Sequence, residues 1–160
     1  MADTRLVPPA LDPATVSSRT GTAYPEAFAA PCAARSKQAL GNELGLQTFG
    51  VNLVRLPPGS WSSQRHWHAR QDEFVFVLEG ELTLVTDAGE QVLGPGACAG
   101  FAGGVADGHQ LVNRTSAPAT YLEVGDRLPG DGAEYPDHDL RVRATVAGWK
   151  YVHKDGRPYE

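Results

Sequence analysis

The chain has 160 residues, 41% of them hydrophobic and 21% charged, with a formal net charge of −5. That size and balance fit one soluble domain able to bury its own core, and the acidic surplus argues against a general nucleic-acid binder, which needs a basic face for phosphates. No apolar run approaches the roughly 20 residues that span a bilayer, and "MADTRLVPPALDP" lacks the charged segment and apolar core of a signal peptide.

Eighteen Gly and 12 Pro are spread along the sequence and cut it into short runs, which favours many short strands over long helices. Residues 1–45, rich in Ala, Pro and polar side chains, read as an extended N-terminal arm with a short helix near "SKQALGNEL". Cys32 and Cys98 stand alone without a CxxC pair, so reduced thiols and a cytoplasmic protein are expected. The regular part begins at "LQTFGVNLVRL", where period two puts Phe49, Val51, Leu53 and Arg55 on one face. "PPGS" is a turn, followed by strand-like runs at "WSSQRHWHA", "EFVFVLEG", "ELTLVTDAGEQVLGPG", "HQLVN" and "ATYLEVGDR". Gly80 separates two of these runs and "TDAGE" turns a third. Short strands at this spacing indicate an antiparallel sandwich or barrel over residues 46–126. Beyond Arg127, "LPGDGAEYPDHDL" reads as a loop, and "RATVAGWKYVHKDGRPYE" as a final hairpin or a tail packed on the barrel.

"RHWHARQDE" is the most informative stretch. In a strand, residues i and i+2 point to one face, so His66 and His68 project together and Trp67 points away. Two imidazoles aimed at one point suit a divalent metal such as Zn, Fe, Ni or Cu. Glu73 can return from the next turn with a hard oxygen, with Asp72 as the alternative. His109 opens "HQLVN" and offers a third imidazole, with Asn113 on its face. The competing interpretation makes His66 and His68 plain surface residues of an edge strand.

The stretch "PPGSWSSQRHWHARQDEFVFVLEG" resembles the first motif of the cupin superfamily, with Gly59, His66, His68, Glu73 and Gly80 in the motif positions. "GPGACAGFAGGVADGHQLVN" resembles the second, with His109 and Asn113 in its His and Asn places. Ala102 stands where a Pro is usual, and "VADG" lengthens the approach to His109 by about two residues; an even insertion preserves strand parity, so His109 is still expected to face inward. The tail "HKDGRPY", with "RSK" and "YLEVGDR", is similar to a bacterial subgroup of small single-domain cupins. The resemblance implies an all-β, double-stranded β-helix (jelly-roll) barrel over residues 46–126, with the arm at 1–45 and a C-terminal extension at 127–160. It also implies one divalent metal held by His66, His68, Glu73 and His109. A homodimer is expected, because cupin-like barrels often pair their sheets and an arm without its own core needs a surface. A monomer whose arm wraps its own barrel is the alternative.

Four protein ligands on a tetrahedral Zn²⁺ would close the site. On octahedral Fe²⁺, Mn²⁺, Ni²⁺ or Co²⁺ they leave two adjacent positions for a substrate or O₂. The expected function is therefore a metal-dependent enzyme acting on a small polar organic molecule, an oxygenase first and a sugar-related isomerase second. A non-catalytic small-molecule or carbohydrate binder is the alternative from another class. Gln64, Arg70 and Tyr121 are candidate pocket residues, but a packing or solvated role is the expected one for each. Trp61 and Trp67 are expected to pack, and His138 and His153 to lie away from the site. No nucleophile elbow, P-loop or dinucleotide-binding turn is present.

Overall fold

The computed structural model describes residues 6–145 and 148–159. The arm carries two short strands, β1 (Arg19–Thr20) and β2 (Ser36–Gln38), and two helical turns, α1 (Glu26–Ala29) and α2 (Leu40–Glu43). The central strands are β3 (Phe49–Leu56), β4 (Trp67–His68), β5 (Glu73–Glu79) and β6 (Leu82–Thr86). They are followed by β7 (Gly89–Leu93), β8 (Cys98–Phe101), β9 (Gln110–Val112) and β10 (Ala119–Asp126). The chain closes with β11 (Gly132–Tyr135), β12 (Leu140–Thr145) and β13 (Gly148–Val152). No helix among the described residues is long and apolar enough to cross a membrane.

One sheet runs in the order β1-β2-β3-β10-β5-β8. The opposing layer comprises β13-β12-β11-β4 and β7-β6-β9, and isolated antiparallel bridges at His66↔His109 and Trp61↔Val112 join their halves. Alternate side chains of both layers meet in one core, with Val54, Leu56, Val75, Val77 and Tyr121 from one sheet and Leu82, Leu84 and Leu111 from the other. The result is the antiparallel jelly-roll barrel expected from the short, turn-punctuated runs.

In β3 both parities carry apolar residues. The buried set is Val54 and Leu56, each 0% exposed, while Phe49, on the other parity, is 39% exposed. The face formed by Phe49, Val51, Leu53 and Arg55 is thus the outer one. It continues across the sheet, because Val51 and Leu53 register with Val124 and Leu122, and these with Phe74 and Phe76.

The arm is not merely draped over the surface. β2 pairs with β3, and Tyr24 and Phe28 pack against Ala133, Tyr135, Leu140 and Val142 in a second apolar cluster. The stretch expected as a loop after Arg127 contains β11, which pairs with both β12 and β4. Its Gly and Asp content masked a strand too short for a periodic signal. The final hairpin is present as β12 against β13. Both cysteines are free, Cys32 buried and Cys98 exposed.

Gly80 is required where it stands. Its φ is 73°, and a Cβ would lie 2.7 Å from the Pro118 carbonyl oxygen and 2.8 Å from the Ala119 Cα. Any side chain would push the β5–β6 turn off the end of β10.

Candidate metal centre

Register decides where the cavity opens. Glu73 lies opposite Gly125 on β10, and Gly125 lies opposite Gly50 on β3. Two glycines in the row beside Glu73 leave its inward carboxylate without crowding neighbours. The next inward row contains Asn52, Glu123 and Val75, and the one after it Val54, Tyr121 and Val77. The barrel therefore grades from a polar, open end at Glu73 to a closed apolar end at Leu56 and Ala119.

From the other layer, His66 and His109 face each other across an antiparallel bridge. The His66 amide donates to the His109 carbonyl at 3.1 Å, and the His109 amide returns the bond at 2.8 Å. His68 follows two residues on, in β4, with the same inward parity. Three imidazoles converge on one carboxylate oxygen: Glu73 Oε2 lies 3.9 Å from His66 Nε2, 3.5 Å from His68 Nε2 and 3.5 Å from His109 Nε2. The donor atoms of His66, His68 and Glu73 all lie within 4.8 Å of one another. His109 reaches the same oxygen but falls outside that mutually close set.

The rings are oriented by a surrounding layer. His66 Nδ1 is 2.9 Å from the Gln64 carbonyl oxygen, and His68 Nδ1 is 2.7 Å from Asp131 Oδ2. A carbonyl and a carboxylate can only accept, so Nδ1 carries the proton in both rings and Nε2 presents its lone pair to the shared point. Asp131, at 2% exposure, also accepts from the Arg70 amide at 2.8 Å and the Gln71 amide at 3.3 Å. His109 lacks such a partner: its Nδ1 is buried and unpartnered. Its ring is instead stacked on Phe101, with centroids 3.6 Å apart and planes within 3°.

Burial lowers the His66 imidazole to about 4, against the opposing pull of Glu73. Burial would raise the Glu73 carboxyl, but the His109 contact and the surrounding imidazoles hold it down to about 2. At neutral pH His66 is therefore neutral and Glu73 ionised, the forms in which both donate to a metal. Imidazole nitrogens, two of them in fixed tautomers, beside a hard anionic oxygen fit a divalent transition metal.

A cavity of about 330 Å³ opens above the histidines and Glu73, lined also by Arg35, Lys37 and Tyr121. Of the pocket candidates read from the sequence, Tyr121 is there, with its hydroxyl buried and unpartnered. Gln64 is not, because its side-chain amide is taken by the Phe28 carbonyl at 2.7 Å and by His138 at 3.0 Å. Arg70 turns outward to the Pro129 carbonyl. Asp72 also points elsewhere, accepting from the Gly103 amide at 2.8 Å. Asn113 is a turn anchor: its Nδ2 donates to the Leu56 and Ala117 carbonyls, each at 2.8 Å. His153 pairs with Asp139, away from the centre.

Sequence reasoning missed Asp131, Arg35, Lys37 and Glu123. The sequence carried a signal for two of them: Arg35 and Lys37 stand at i and i+2, and Lys37 registers opposite the buried Val54. Both side chains thus face the interior.

Residues 52–125 match the Cupin_2 family, described as Cupin domain. No protein of curated function matches the sequence. The chain is 49% identical to a crystal structure described as a sugar phosphate isomerase from a cupin superfamily, from Silicibacter pomeroyi, with a TM-score of 0.91 over 95% of this chain and 97% of that one. It is 28% identical to a putative sugar phosphate isomerase from Acidithiobacillus ferrooxidans, with a TM-score of 0.71 over 79% and 81% of the two chains. The polyketide cyclase RemF from Streptomyces resistomycificus shares the fold at 18% identity, with a TM-score of 0.59 over 76% and 82%. A metal-compatible cluster inside a jelly-roll barrel, with near-complete coverage of a relative at this identity, places the chain in the cupin superfamily.

Proposed function

We propose that this chain is a metal-dependent isomerase of a small phosphorylated sugar, with His66, His68, Glu73 and His109 holding one divalent ion. The observation carrying this reading is the convergence of three Nε2 atoms on Glu73 Oε2 in the lining of a cavity. The names of the two similar isomerase structures favour isomerisation over oxygenation.

When bound, the ion would polarise a carbonyl and an adjacent hydroxyl and stabilise negative charge on their oxygens. The chain's own residues supply the rest. Glu123 is the second carboxylate of the cavity. It is steadied by Lys37 at 2.6 Å and Asn52 at 3.0 Å. Glu123 takes the proton from the hydroxyl-bearing carbon and returns it to the carbonyl carbon while the hydroxyl proton passes to the former carbonyl oxygen, so that carbonyl and hydroxyl exchange places with no net gain or loss of atoms. Burial raises the Tyr121 hydroxyl well above its ordinary range, so it stays protonated and can donate to a substrate oxygen.

The test is an aldose–ketose phosphate panel in deuterated water, on protein loaded separately with Fe²⁺, Mn²⁺, Ni²⁺, Co²⁺ and Zn²⁺, with and without O₂. The expected result is oxygen-independent turnover that is lost in the His66→Ala, His68→Ala double variant. Turnover requiring O₂ would replace the isomerase by an oxygenase. Metal-dependent binding without turnover of any panel member would leave a binding cupin.

A further inference from the structure

We propose that Arg35, on the arm, is the seat of a dianionic phosphate group of the ligand, at the Ser62 wall of the cavity. Arg35 lines the same cavity as His66, His68 and Glu73 and is half-buried. One guanidinium nitrogen donates to the Ser62 carbonyl. The Nε is buried with no partner. Arg35 is the arginine that lines this cavity. Arg35 has no carboxylate within 4.0 Å among the described residues.

A cation withdrawn from water without a counter-charge is costly, and an anionic ligand supplies what the fold omits. The neighbourhood agrees. Lys37 follows on the same strand face, but its charge is matched by Glu123 at 2.6 Å, whereas Arg35 has no carboxylate in contact. Tyr121, which also lines the cavity and interacts with Arg35, keeps its hydroxyl buried and protonated. The planar guanidinium fork suits two oxygens of one phosphate.

Ser62, which holds Arg35, sits on the strand segment leading to His66, and its Oγ accepts from the Leu111 amide at 2.9 Å. Arg35 is thus held on the Ser62–Leu111 segment, beside the His66↔His109 bridge in the same layer. A volume of about 330 Å³ is near the lower end of the roughly 300–1,000 Å³ usual for small-ligand pockets. It fits one small molecule, with its phosphate at Arg35 and its reactive end at the histidines. The choice of phosphate over other anions rests on the isomerase reading; the existence of the anion seat does not.

The experiment titrates inorganic phosphate into metal-stripped protein near pH 8 by calorimetry. Wild type and the His66→Ala, His68→Ala variant are expected to bind with similar affinity, and Arg35→Gln roughly tenfold to a hundredfold more weakly. Arg35→Lys should recover part of the loss, and acetate should compete poorly. Should Arg35→Gln fail to fold, arginine-directed dicarbonyl labelling of wild type decides, with phosphate expected to slow modification of Arg35 in the mapped peptide. Equal affinity in wild type and Arg35→Gln, no binding to wild type, or labelling of Arg35 unaffected by phosphate overturns the assignment. Loss of phosphate binding in the double histidine variant would move the anion to the histidines, and acetate competing as well as phosphate would make the seat a carboxylate site. None of these readouts uses turnover, so they stand or fall separately from the isomerase activity.

Discussion

Asp131 fixes the ring of His68: its Oδ2 lies 2.7 Å from Nδ1 while its Oδ1 receives the amides of Arg70 and Gln71. One buried carboxylate therefore sets both the imidazole tautomer and the path of the chain between the histidines and Glu73. Asp131→Asn keeps the size but weakens the acceptor, and should reduce metal affinity about 10–100-fold with the fold intact. Asp131→Ala should in addition destabilise the protein by about 2–4 kcal/mol, because two amides lose their acceptor. Metal titration and chemical denaturation of both variants check this; unchanged metal affinity in both would show that the His68 ring needs no such support.

Acid should weaken the metal-free protein in two steps. His66 is lowered from 6.5 to about 4 in the folded state. The unfolded chain thus takes up a proton first, and stability is lost as pH falls from about 6.5 to about 4. Glu73 is lowered from 4.5 to about 2, which removes further stability over that lower window as the unfolded carboxyl protonates first. Metal affinity should fall over the upper window as well, since protons compete for imidazole nitrogen. Urea midpoints of metal-free wild type and His66→Ala at several pH values provide the measurement. A wild-type midpoint that is flat from pH 7 to 4 contradicts the assignment.

Glu123→Gln should abolish proton transfer while leaving the metal in place. The expected loss in turnover is about 10²–10⁴-fold, the usual contribution of a positioned acid or base. Metal content of the purified variant should match wild type. Retained turnover would assign the proton to another group of the cavity.

The outer face of the larger sheet carries Phe49, Val51, Leu53, Leu122, Val124, Phe74 and Phe76 in adjoining register. Phe49 and Phe74 are 39% and 41% exposed in the single chain. Such a continuous apolar face favours association with a second copy. Light scattering should give twice the 17.1 kDa chain mass, and Phe74→Lys should shift it to a monomer. A wild-type monomer at micromolar concentration rules the pairing out.

The sequence displayed the barrel because its information there is local: period-two alternation, Gly-bearing turns and the His-x-His spacing each act within a few residues. His109 was legible despite its long approach because an even insertion keeps side-chain parity, and its Nε2 does reach Glu73. Asp131 was hidden because its role comes from β11 pairing with β4, a contact over 60 residues apart in sequence that no periodicity announces. Gln64 has the packing role that the sequence reading favoured, though its partner was not legible. Its parity matched the histidines, but its amide was captured by Phe28 of the arm, whose packing the sequence did not disclose.

The reciprocal amide bonds between His66 and His109 stitch together the two halves of one layer. An ion gripping the side chains of the same two residues would act as a rivet across that seam. Loading the metal should then slow deuterium uptake at the His66 and His109 amides, and at the Asp131-bound amides of Arg70 and Gln71, more than in the apolar rows around Leu56. The metal would thus set the mechanical unity of the barrel as well as its chemistry, and its removal would loosen the wall on the histidine side first.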